Sequence, residues 1–322
     1  MQPGPQRCYG ARMQQNAPVR YRTFVYDSSR WDGFRFRAGD IVISTPPKCG
    51  TTWTQRICSL LILQTTELER PLSILSPWVD MLTRPLAEVI ADLEGQQHRR
   101  FIKTHTPLDG LPWDPRVTYI CVARDPRDVA LSWDGHIANA DVPALFAARE
   151  AAVGNEDIQE MLEKGLPEMP ATPAERFWLW VDNDEPVEGA PSSLRGVLNH
   201  LESFWKRRHE PNIVLLHYHD LKGDLDGQMR ALAATLGIAI EEKMWPQLVE
   251  AATFETMRAG ADRIVPGSTE SIWQSNRQFF RSGESGQWRE LLDEEGMRRY
   301  EARVANLVSP ELAQWVHHGA IR

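Results

Sequence analysis

Short, nearly unbroken apolar runs alternate along this chain with longer stretches in which apolar residues recur every three or four positions. The first pattern is that of buried strands, the second that of amphipathic helices. Asp40 to Ser44 and Val117 to Ala123 are almost uninterrupted apolar runs, and Arg100 to Thr104 and Asn212 to Leu216 are shorter ones. Trp53, Ile57, Leu60 and Leu61 form one helical stripe, and Leu86 to Leu93 predicts a second helix. Leu194, Val197, Leu198, Leu201, Phe204 and Trp205 mark another within 193–208, with more helices over 221–236 and 288–307 and a helical patch at 174–181. Strands that alternate with helices predict one α/β domain over residues 31–322. Its sheet is central and mainly parallel, with helices on both faces and a ligand across the carboxyl ends of the strands.

Charge and composition narrow the choice. No stretch approaches 18 uncharged apolar residues, so no membrane span is expected. The first twenty residues lack the apolar centre of a signal peptide, and residues 1–30 are expected to form a loose tail. Cys8, Cys49, Cys58 and Cys121 show no C-x-x-C pair, which fits a reducing cytoplasm. A net charge of −8 argues against a nucleic-acid partner. Twelve acidic residues against Arg149, Lys164 and Arg176 give residues 141–192 a charge of −9, leaving +1 for the remainder. An anionic ligand can therefore bind that remainder without opposing the whole molecule's field.

The junction of the first strand and first helix carries the densest chemistry. Residues 45–53 read Thr-Pro-Pro-Lys-Cys-Gly-Thr-Thr-Trp. A helix that begins at a glycine turn aims its unpaired first-turn N–H groups, and the positive end of its dipole, at an anion in the loop. Lys48 adds a positive charge, Gly50 lets the backbone approach closely, and the Thr51 and Thr52 hydroxyls can donate to anion oxygens. The order differs from the G-x-x-x-x-G-K-[ST] loop, because Lys48 precedes Gly50. No strand-terminal aspartate suited to magnesium stands out either. Cys49 sits where a helix N-terminus can activate a thiol, or simply fills the loop with a small side chain.

Further along, Arg100-Phe-Ile-Lys103-Thr-His105-Thr-Pro107 closes a strand with Lys103 and His105 on one side if the chain stays extended. There a histidine can take a proton and a lysine can stabilise charge on a transferred group. After the third strand, Asp125 fits a helix N-cap, Pro126 the first helical position and Asp128 the first turn. Ser132 returns to the side of Arg124, and the two can clamp a phosphate. Trp78 and Met81, and the segment Trp133 to Asn139 with His136, are candidate acceptor walls. His217-Tyr218-His219-Asp220 ends the fourth strand; a His-x-His pair can hold a metal, but no second ligand cluster accompanies it, so no metal is expected.

These stretches resemble, in order, the signatures of the cytosolic-type sulfotransferases, enzymes that use 3′-phosphoadenosine 5′-phosphosulfate (PAPS). Lys-x-Gly-Thr-Thr-Trp resembles the family's phosphosulfate loop and Lys-Thr-His-x-Pro its catalytic segment. The resemblance covers Asp40 to Trp288 and implies a bacterial member, with PAPS as donor, adenosine 3′,5′-bisphosphate (PAP) as product and no metal. It implies His105 as catalytic base, helped by Lys48 and Lys103. It implies a phosphosulfate cradle of Lys48, Cys49, Gly50, Thr51, Thr52 and Trp53, and a 3′-phosphate site of Arg124, Ser132, Arg281, Ser282 and Gly283. Tyr218 and Asp220 would meet the adenine, and Phe254 would sandwich it with Trp53. Two positions depart from the family pattern: His219 replaces an acid, and Ser282 stands where the family usually has lysine.

The acceptor expected is a small, neutral molecule with a hydroxyl or amine. The acidic 141–192 stretch reads as a lid or insertion on the acceptor side, and its field disfavours a polyanion. Two alternatives remain from the sequence: a P-loop-like ATP-dependent kinase and a non-catalytic nucleotide-binding protein.

Overall fold

The computed structural model describes residues 17–266, 272–281 and 283–320. Strands β1 (Ile41–Ser44), β2 (Phe101–Thr104), β3 (Thr118–Ala123) and β4 (Ile213–His217) form a fully parallel sheet in the order β2-β1-β3-β4. Residues of each strand alternate between two cores. Ile41, Ile43, Phe101, Ile120 and Val122 face one side, with Ile57, Leu60 and Leu61 of helix α1 (Thr51–Leu63). Val42, Ile102, Tyr119, Cys121 and Ala123 face the other, with Val129 of α2 (Pro126–Ala138) and Val197, Leu198 and Leu201 of α3 (Leu194–Trp205). Burial on both faces is why these strands read as continuous apolar runs. The expected single α/β domain core is the one observed.

The chain leaves β1 for β2 on one side and reaches β3 on the other. The carboxyl end of β1 is thus the point where the strand order reverses, the place such sheets bind ligands. At the opposite end, buried Arg100 grips Asp40, with Nε 2.9 Å from Oδ1, and ties the start of β2 to β1.

Several boundaries differ from the sequence expectation. Residues 17–30 are not loose: Tyr21 and Tyr26 are buried, and the Asp27 N–H donates to the Asp80 carbonyl at 2.9 Å. Their aromatic content suits a docked segment, which the polar composition around it obscured. The single helix expected over 221–236 is two, α4 (Tyr218–Gly223) and Leu225–Thr235, because Asp224 caps the second by accepting from the Gly227 N–H. Likewise the helix expected over 288–307 is a short 3-10 turn at Gln287–Glu290 followed by Glu294–Ala305, capped by Asp293, and a further helix covers Pro310–His318. Within 141–192 three helices form, Val142–Val153, Gln159–Lys164 and Pro173–Val181. The last buries Phe177, Trp180 and Val181 and pairs Arg176 with Asp134 of α2, Nε to Oδ1 at 2.6 Å. No described helix is long and apolar enough to cross a membrane.

Candidate active site

Backbone strain marks the loop between β1 and α1. Lys48 has φ 67° and Gly50 φ 104°; Lys48 and Gln64 are the only described non-glycine residues in the left-handed region. Glycine is favoured there by conformation, and a side chain at Gly50 would also stand a tight 3.3 Å from the Tyr218 ring. Gly50 is the N-cap of α1 and supplies no side-chain cap, leaving the first-turn N–H groups of Thr51, Thr52 and Trp53 directed at the loop. The Thr45 and Thr51 hydroxyls are hydrogen-bonded to each other. Burial pushes the Cys49 thiol up to about 12, which disfavours a reactive thiolate in the loop.

Lys103 and His105 converge, as the sequence predicts, and Trp78 is what they converge on. Lys103 Nζ lies 4.0 Å from the centre of the Trp78 ring, and the His105 ring meets that indole edge-on at 4.7 Å. His105 Nδ1 is 2.7 Å from the Thr45 carbonyl oxygen. A carbonyl can only accept, so Nδ1 carries the proton and Nε2 keeps its lone pair. Burial first, and the neighbouring Lys103 second, hold the His105 pKa well below the usual histidine value. The ring is therefore neutral and able to receive a proton.

The segment carrying His105 is braced from behind. The Thr104 and Thr106 hydroxyls donate to Asp80 Oδ2 at 2.7 and 2.5 Å. Asp80 is fully buried, its Oδ1 has no partner, and burial raises its pKa. Ser44 Oγ donates to the Thr106 carbonyl at 2.6 Å and lies 3.0 Å from His200 Nε2. Its one proton is spent on Thr106, so His200 Nε2 is the donor. Burial lowers His200 to about 3.

Lys48 reaches across the loop to α2. Its Nζ is 3.2 Å from His136 Nδ1 and 4.5 Å from the centre of the Phe279 ring. His136 lies among Trp273, Trp133 and Phe279, with ring centres at 4.6, 5.5 and 5.7 Å. Burial, then the charges of Arg124 and Arg281, lower Lys48 to about 7; burial also brings Lys103 to about 7, against the pull of Asp80. Basic side chains enclosed together and lowered by burial form a site that an anion would complete.

On the far side of the loop, Arg124 is nine-tenths buried. Its Nη1 donates to the Lys48 carbonyl at 3.2 Å and its Nη2 to the Glu284 carbonyl at 3.1 Å, while Nε has no partner. The guanidinium rests 4.4 Å above the Tyr218 ring. Ser132 lies one turn before Gly135 on α2, and a side chain at Gly135 would come within 3.3 Å of Arg281. Trp53 meets Tyr218 edge-on at 5.2 Å and donates from Nε1 to the Ala252 carbonyl at 2.8 Å, two residues before Phe254. Gly283, with φ 66°, packs so tightly on Phe254 that a Cβ would be 2.8 Å from the ring. Ser282 lies outside the described residues. A buried guanidinium with a free Nε and uncapped helix N–H groups fit a ligand with two phosphate-like groups.

One expectation is corrected here, and one alternative is closed. Asp220 does not turn to the nucleotide side, because its Oδ2 accepts from the Ala320 N–H at 3.0 Å. His217 cannot share a metal with His219: its Nε2 is 3.0 Å from the Val316 carbonyl and its Nδ1 accepts from the His219 N–H. The sequence reading missed Asp80 and His200 altogether and placed His136 only on the acceptor side. No spacing rule could have joined them to a site 24 to 156 residues away.

Residues 38–310 match the family described as "Sulfotransferase domain". The chain is 42% identical over 311 residues, 94% of each chain, to a Mycobacterium tuberculosis protein named glycolipid sulfotransferase. It is 24% identical over 279 residues to sulfotransferase 1E1 of Cavia porcellus, covering 84% of this chain and 83% of that one. Among solved structures, a retinol dehydratase in complex with androsterone and PAP superposes with a TM-score of 0.64 at 20% identity, covering 89% of both chains. Mouse sulfotransferase SULT7A1 complexed with PAP gives 0.62 at 18% identity, over 89% of this chain and 91% of that one.

Proposed function

The chain belongs to the sulfotransferase family and is an enzyme that transfers a sulfuryl group from PAPS, and on that premise we propose how its residues divide the work. His105 Nε2 takes the proton from the acceptor hydroxyl as the new S–O bond forms. Lys48, Lys103 and the first-turn N–H groups of α1 stabilise the charge that builds on the sulfuryl oxygens and on the departing phosphate. Arg124, Ser132, Arg281 and Gly283 hold the 3′-phosphate of the donor, and Trp53, Tyr218 and Phe254 enclose its adenine. Thr104, Thr106 and Asp80 fix the segment that carries the base. The kinase alternative is not favoured by the family, and a pure binding protein has no use for a poised, proton-accepting ring beside the transfer loop.

The observation that carries this reading is the hydrogen bond from His105 Nδ1 to the Thr45 carbonyl, which fixes the tautomer and leaves Nε2 as the acceptor. For the acceptor, an aromatic wall of Trp78, Trp133, Trp273 and Phe279 suits a small, neutral hydroxylated molecule with apolar surface. A glycolipid is the first acceptor to assay, because 42% identical relatives carry that name. Replacement His105→Ala tests the catalytic assignment: turnover falls by about 10²–10⁴-fold while PAP binds within twofold of the parent. Unchanged turnover would remove His105 from the mechanism.

A further inference from the structure

Helix α4 presents a second residue to the region that holds Arg124. Tyr218 and Lys222 are one turn apart and share a face of this helix. Tyr218 carries the Arg124 guanidinium on its ring at 4.4 Å, and Lys222 Nζ donates to the Gly283 carbonyl at 2.9 Å. Arg124 Nη2 donates to the next carbonyl, that of Glu284, at 3.1 Å. An ammonium and a guanidinium thus donate to consecutive carbonyls of one loop, and Arg281 sits two residues before that loop's glycine. Lys222 uses one of its three N–H donors in this way and is otherwise exposed, while the enclosed Arg124 Nε is unpartnered.

The neighbouring carboxylates each accept a hydrogen bond from a backbone or amide N–H. Asp128 Oδ1 accepts from the Gly286 N–H, Glu284 Oε2 from Gln287, and Asp220 Oδ2 from Ala320. We propose that Lys222 is a binding residue of the donor's 3′-phosphate, completing with Arg124 and Arg281 a three-cation subsite. The proposal rests on the placement of the 3′-phosphate at Arg124. It assigns to α4 the positive charge that the loop lacks at position 282, where this chain has serine.

Calorimetric titration of the full chain with PAP and with adenosine 5′-phosphate, for the parent, Lys222→Met and Lys222→Arg, tests it. The expected result is an approximately tenfold weaker PAP affinity in Lys222→Met, no change for adenosine 5′-phosphate, and near-parental PAP affinity in Lys222→Arg. Equal losses for both nucleotides would mean that Lys222 only pins the loop, and no loss would mean that it plays no part; either overturns the proposal. A parental protein that does not prefer PAP over adenosine 5′-phosphate would overturn the placement of the 3′-phosphate itself, and this inference with it.

Discussion

On the proposed assignment, the two ends of the site hold a polyanion with different cations. At the nucleotide end the charges are chiefly arginine: Arg124 braced on two carbonyls and on Tyr218, and Arg281 near α2. A guanidinium stays charged at any physiological pH, so this end is a permanent anion trap. At the transfer end the charges are lysines, and burial has brought both Lys48 and Lys103 to about 7. Each rests against an aromatic face, Phe279 and Trp78, rather than a carboxylate. The contrast teaches a division of labour. On the proposed assignment one end binds at constant charge, and the other is expected to acquire its charge when the anion arrives.

The sharpest way to break this comparison is Lys103→Met. Turnover falls by about 10²–10³-fold, measured by transfer of labelled sulfate, while the ligand-free protein melts at a higher temperature near pH 8. The sign follows from linkage. The folded Lys103 pKa, about 7, lies below its unfolded value, so between these values the unfolded chain binds a proton that the folded chain does not. Parental stability therefore rises with pH across that window, and the advantage of methionine shrinks toward pH 10. A variant no more stable than the parent at pH 8 would show that the lysine is already charged.

A smaller effect is expected from Arg124→Lys. The point charge remains, but the planar fork on the carbonyls of Lys48 and Glu284 is lost, and PAP affinity drops by about tenfold. Calorimetry at fixed salt reads it. The smallest effect belongs to Asp220→Asn, which loosens the hold on Ala320 and lowers the melting temperature slightly, with PAP affinity unchanged. A loss of affinity there would return Asp220 to the adenine site.

The contrast between the two ends also explains which residues the sequence exposed. Lys48, Gly50 and the threonines of α1 were legible because strand, loop and helix follow one another within a dozen residues and their chemistry is local. Lys103 and His105 were legible for the same reason, and so was the pair of cores, written as alternation along each strand. The partners that tune these residues were not. His136 meets Lys48 across 88 positions, and Asp80 meets Thr104 across 24, through tertiary contacts that leave no periodicity. Helix ends at Asp224 and Asp293 were lost because a capping aspartate looks like any polar helix residue until its side chain is seen accepting a backbone N–H. The composition around residues 17–30 is polar and hides the docking of this segment by Tyr21 and Tyr26.

The central claim is that the transfer end becomes charged on binding. Proton uptake during PAP titration tests it most directly, measured by calorimetry at pH 8 in two buffers of different ionisation enthalpy. At that pH the ligand phosphates are already ionised, whereas burial, which lowers Lys48 and Lys103 to about 7, disfavours their charged forms. The account predicts a net uptake of between about one and two protons per site as the anion draws both amines into their charged form. Binding with no uptake, or with proton release, would contradict it.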